Sequence, residues 1–172
     1  MTKTRLTPLG AVGRGLLAAA IDTLAMDLLW YWRYKQGGGE SSFVVWEFSV
    51  GLDDWDKASA PGKIGRRLYE GFRQQALGAR YAALTTNLMH WSYGAGWGAL
   101  FGIVVGSANQ SRARFGLVFG PLVFGTSYVL MPLAQLYKPL WEYDATTLWK
   151  DFSAHLLYAV VTAAAFRWLS KP

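Results

Sequence analysis

Residues 88–106 and 115–137 contain no Asp, Glu, Lys or Arg. A helix on a soluble protein keeps a polar or charged stripe at the 3.6-residue period. Neither stretch has one, and each is close to the length of about 20 apolar residues that crosses a hydrocarbon core. Two more segments approach the same standard. The chain therefore reads as all-α: a polytopic membrane protein forming a four-transmembrane-helix bundle, with spans at 9–32, 81–106, 115–137 and 149–169. The 172 residues make one integral membrane domain. Trp30, Trp32, Tyr81, Trp141, Trp149 and Trp168 mark the edges of these segments, as expected of an interfacial aromatic belt.

Charge fits this setting. Lys and Arg outnumber Asp and Glu by 17 to 11, but they crowd the tails and connections, where lipid headgroups attract them. No nucleic-acid motif accompanies them, so nucleic acid is not an expected partner; the lipid bilayer is. The chain has no cysteine, which excludes disulfides, thiolate catalysis and Cys-ligated metals. The first segment does not read as a cleaved signal peptide, because Asp22 and Asp27 interrupt its apolar run and no small-residue cleavage site follows.

The first connection, 33–80, opens with the breaker "KQGGGESS". The next stretch, "FVVWEFSVGLDDWD" (43–56), reads as a short strand or an aromatic segment lying on the bilayer surface. Its Trp and Phe are typical interface anchors, which makes it the expected site for a protein partner. Residues 61–77 begin at Pro61 and repeat Ile64, Leu68 and Phe72 every four residues, with Arg66, Arg67 and Arg73 off that stripe. This spacing predicts an amphipathic helix at the membrane interface. The connections at 107–114 and 138–147 are short enough to make the second and third spans, and the third and fourth, antiparallel neighbours. Four spans place both termini on one side. Lys3, Arg5, Arg112, Arg114 and Lys171 lie there, but several arginines lie opposite, so the positive-inside tally does not orient the bundle.

An internal echo suggests two parallel two-helix repeats. "HWSYGAGWGALF" (90–101) and "HLLYAVVTAAAF" (155–166) share His, Tyr three on, a small residue four on, Ala nine on and Phe eleven on. Two-helix units keep one orientation, which implies a pseudo-twofold along the membrane normal.

Polar groups gather at one depth. Asp22 and Asp27 lie in the second half of the first span, Asn87 and His90 in the first half of the second, and Asp151 and His155 at the start of the fourth. All fall in the leaflet nearer the long connection. An acid near a helix centre costs about 2.5–3.5 kcal/mol on insertion scales, so each needs a cation, a donor or a proton. Asp151 and His155 are four apart and can pair on one helix face. His90 and His155 are expected to approach across the interior with Asp22 or Asp27 nearby. The favoured reading is a structural or partner-binding membrane protein whose polar cluster pins helix register. The alternatives are proton- or ion-linked transport, and a cofactor protein in which His90 and His155 hold haem or join the acids around a divalent metal. No Gly-x-Ser-x-Gly elbow exists, and no enzymatic activity is expected.

Gly94, Gly98, Gly102 and Gly106 recur every four residues. This glycine zipper lets a neighbouring helix approach closely, and Gly116, Gly120, Ala159 and Ala163 offer similar smooth faces. Packing inside the bundle is expected, with homo-oligomer formation through an exposed row as the alternative.

At "PLAQLYKPLWEYDATTLWKDFSAHLLY" (132–158) the chain resembles the YagU-like bacterial inner-membrane proteins. The resemblance rests on Pro132-Leu133 followed by Pro139, and on an acid four before a histidine, here Asp151 and His155; Asn87 and His90 echo it weakly. It implies a small polytopic protein of the bacterial inner membrane without an established reaction. The long first connection departs from the family pattern.

Overall fold

The computed structural model describes residues 6–107 and 112–171, which form helices joined by turns, with no strand among them. Lys3, Arg5 and the middle of the 107–114 connection lie outside the described residues. The helices are α1 (Pro8–Gln36), α2 (Phe43–Glu47), α3 (Ala60–Arg73), α4 (Ala82–Ser107), α5 (Arg112–Leu133) and α6 (Ala145–Leu169). Three are long and apolar enough to cross a membrane: α1, α5 over Phe115–Leu133, and α6. Although free of charge, α4 falls short in apolarity because Asn87, His90, Trp91, Tyr93 and its glycines dilute it.

The glycine row explains how α4 packs. A Cβ on Gly94 would strike Thr23, one on Gly98 would strike Ala19, one on Gly102 would strike the backbone of Ala11, and one on Gly106 would come within 2.7 Å of Ala11 Cβ. Gly15 is itself pressed against the Gly98 and Gly102 backbone. Two antiparallel helices thus meet along small residues that advance four at a time on each: Ala11, Gly15, Ala19 and Thr23 on α1, against Gly106, Gly102, Gly98 and Gly94 on α4. Absent side chains let the backbones touch and gain dispersion contact with each other. The zipper is consumed inside the fold.

Helix α6 lies along another side of α1, also antiparallel. Arg14 Nε donates to Leu169 O at 2.9 Å, Thr162 bonds Asp22 mid-helix, and Arg33 bonds Lys150 O and Ser153 Oγ at 2.6 and 2.8 Å near the far end. The start of α1 and the end of α6 are therefore neighbours. Helix α5 packs on α6 through its own small residues, Gly116 against Ala163 and Gly120 against Ala159.

One expected neighbour pair is looser than its short connection predicts. Helices α4 and α5 meet by long side chains, not backbone to backbone. Trp97 meets Phe119 edge to face and Phe101 packs on it at a tilt, with centroids 6.0 and 4.9 Å apart, and Tyr93 reaches Ser127. Aromatic rings hold these helices apart because α4 has turned its smooth face to α1. Phe101, Phe119, Tyr158 and Phe166 form the centre of the core.

The first connection corrects the strand reading of 43–56. Its start is the one-turn helix α2, folded back on the end of α1. Tyr31 Oη donates to Ser41 O and Ser41 N donates to Tyr34 Oη, while Phe43 and Trp46 pack against Tyr31 at 5.2 and 5.5 Å. Trp55 is buried and donates from Nε1 to Leu77 O at 2.9 Å. Of the rings expected to face a partner, Phe43, Trp46 and Trp55 hold the connection together, while Phe48 is exposed along with Val44, Val45 and Val50. Helix α3 forms as its spacing predicts, ending where Gln74 turns left-handed at φ 52°. It docks on the first turns of α4 by glycines, with Gly62 against Thr86 and Gly65 against Thr85 and Met89, and leaves Leu68 and Phe72 exposed.

Candidate functional site

The α1–α4 ladder ends in polar groups. One turn beyond Thr23 and Gly94 stand Asp27 and His90. His90 Nε2 lies 3.1 Å from Asp27 Oδ1 and 3.0 Å from Oδ2. Asp27 is buried, and its carboxylate has no Lys or Arg partner among the described residues.

The third member comes from the connection. Glu47, the last residue of α2, brings a carboxylate oxygen into a group with Asp27 and His90 whose ligand atoms all lie within 4.8 Å of one another. Two features fix Glu47 there. The Tyr31–Phe43–Trp46 cluster seats α2 on α1. Asn87, one turn before His90, donates from Nδ2 to Phe48 O at 2.8 Å and ties down the residue after Glu47. Glu47 Oε1 and the Trp91 indole N–H are buried without partners. Burial first, and the Asp27 carboxylate next, push the Glu47 carboxyl up to about 7, against the pull of His90.

The remaining sequence candidates are placed apart from this group. Asp22 is fully buried at the centre of the bundle, where its two oxygens accept from Thr23 and Thr162. Tyr158 Oη donates to Gly94 O at 3.2 Å, joining α6 to α4. His155 Nδ1 lies 2.9 Å from Asp151 O, a carbonyl that can only accept, so this nitrogen carries the proton; Asp151 Oδ1 is 3.3 Å away. The ring of His155 packs against Phe124 of α5, centroids 5.6 Å apart.

The two histidines, expected to approach across the interior with Asp22 or Asp27 nearby, do not share one acid. Each pairs with a different aspartate, and His155 has no place in the Asp27–Glu47–His90 group. The reason lies in the partners: α4 presents His90 to α1, whereas α6 turns His155 toward α5 and its own preceding turn. Asn87 serves as a clamp on the connection and not as a member of the group. Sequence reading missed Glu47, whose only signal was an acid inside the apolar run "FVVWEF".

Fold and site together define a helical protein with three helices able to cross a membrane and a carboxylate–imidazole group at one end of the bundle. Comparison with protein-family models, with curated proteins and with solved structures gives no match.

Proposed function

We propose that this is a four-span integral membrane protein without a reaction of its own, a scaffold whose buried polar pairs set helix register and hold an ordered loop module (α2 and α3) at one face. The α1–α4 ladder carries this reading. It runs from Ala11 and Gly106 to Asp27 and His90, so α4 accompanies α1 over most of its length. If α1 crosses the bilayer, α4 crosses beside it, with its glycine face shielded by α1. The spans α1, α4, α5 and α6 then alternate and bring both termini to one side.

Pairing of the interior groups supports the structural role. Asp22, Asp27, His155 and Tyr158 each meet a partner inside the bundle, as residues that specify register do. The repeat gains support too, since Gly94 and Ala159 hold matching positions and each packs on the preceding span, α1 and α5. Phe101 and Phe166, also matched, meet edge to face at 5.7 Å. The resemblance of 132–158 to YagU-like proteins favours the bacterial inner membrane. The exposed Leu68 and Phe72 of α3, flanked by Arg67 and Arg73, suit that helix to the lipid interface.

The test is His90. As a register pin, His90→Ala lowers thermal stability in detergent by about 1 kcal/mol, cellular function falls in step with protein abundance, and His90→Gln restores part of both. A variant that is fully abundant and stable yet loses its pH-dependent phenotype would point to proton handling.

A further inference from the structure

We propose that Asp27, Glu47 and His90 bind one first-row divalent transition-metal ion, with Zn2+ the best fit, and that the ion bolts α2 to the α1–α4 pair. Three elements far apart in sequence contribute one ligand each, and their donor atoms already lie within 4.8 Å of one another. Metal–ligand bonds of about 2.0–2.2 Å in tetrahedral geometry set neighbouring donors about 3.3–3.6 Å apart, so side-chain adjustments of at most about 1.5 Å complete the set. His90 Nε2 and the Asp27 oxygens, at 3.0 and 3.1 Å, are already spaced as neighbouring ligands on one ion.

Two observations point to a ligand and not to a closed hydrogen-bond network. Glu47 Oε1 is buried with no hydrogen-bond partner inside this group. Both carboxylates also lack a Lys or Arg partner among the described residues, and Asp27 is 5% exposed. Two acids and one imidazole thus converge with no Lys or Arg among them, an arrangement that a dication can bridge. The ligand chemistry selects the ion. An imidazole with two carboxylates suits Zn2+, and to a lesser degree Mn2+, whereas Mg2+ and Ca2+ prefer all-oxygen shells. Three protein ligands leave a fourth position for water. The supports are built: Asn87 holds Phe48, and the aromatic cluster holds α2.

The test uses the full chain in detergent, stripped with chelator and titrated with Zn2+, Co2+, Mg2+ and Ca2+. One Zn2+ per chain is expected, with a Co2+ absorption spectrum that His90→Gln abolishes. Loss of a ligand costs at least as much as loss of an outer partner, so Glu47→Gln weakens Zn2+ binding by about tenfold or more; Asp151→Asn, at the other histidine, leaves it unchanged. Glu47 sits in the connection, so its variant keeps the bundle even if an Asp27 or His90 variant misfolds. Absence of stoichiometric Zn2+, Zn2+ binding indifferent to Glu47→Gln, or Ca2+ bound as tightly as Zn2+ would each overturn the site. None of these results would touch the four-span reading, which rests on the ladder.

Discussion

His90 Nε2 meets both oxygens of Asp27, at 3.0 and 3.1 Å, one turn past the point where Gly94 lies on Thr23. The polar pair is the last rung of a ladder built otherwise from residues with little or no side chain. Small residues let α1 and α4 slide closely together, but they say little about where sliding stops. A directional bond at the end of the row supplies the stop.

That division of labour predicts coupling between the two residues. Asp27→Asn and His90→Gln each destabilise, and the double variant loses less than the sum of the single losses. Interaction energies of this type within membranes average about 0.6 kcal/mol. Thermal unfolding of the four species in one detergent measures it, and strict additivity would show that the pair does not act as a unit.

The ladder distinguishes glycines that look alike in the sequence. Gly98 is pressed against Ala19 and the Gly15 backbone, whereas a Cβ on Gly96 would meet nothing within 4 Å. Gly98→Val therefore forces α1 and α4 apart and lowers stability by about 1–3 kcal/mol, the range for overpacking. Gly96→Ala is neutral or slightly stabilising. Melting temperatures of the two variants check both statements.

Acid should loosen the start of α6 before the bundle. Asp144 caps that helix, accepting from Thr147 N at 2.9 Å and from Thr147 Oγ1 at 2.6 Å. The Thr147 bonds hold its carboxyl below the ordinary carboxylate range. A group with a lowered folded pKa contributes stability above its unfolded pKa and loses it as pH falls through the folded one. The difference in amide exchange at Thr146–Leu148 between wild type and Asp144→Ala, large near pH 7, should close as the pH falls to and below the ordinary carboxylate range.

The sequence made the long helices legible through their charge-free runs, and the small-residue rows through spacing alone. Asp27 and His90 could be placed at one depth because span direction follows from connectivity. What spacing could not supply was azimuth. The matched positions of His90 and His155 say that each histidine faces the preceding span, but not that α1 has an acid at the facing rung while α5 offers Phe124. Nor could it show that the Gly37–Gly39 turn folds α2 back over α1. Glu47 stayed invisible because its place depends on Asn87 and on four aromatic rings from two elements. The residues that dilute the apolar character of α4 include the glycines that α1 covers.

Whether α4 crosses the membrane decides the central claim, and one measurement tests it. The chain has no cysteine, so a single introduced thiol is the only one a reagent can find. Ser42→Cys lies just before α2 and Lys171→Cys just after α6, both at exposed positions. In intact cells treated with a membrane-impermeant maleimide, four spans put these sites on opposite sides, so one labels and the other labels only after lysis. Three spans, with α4 not crossing, would put both on the same side and give them the same labelling before lysis. That result would contradict the account.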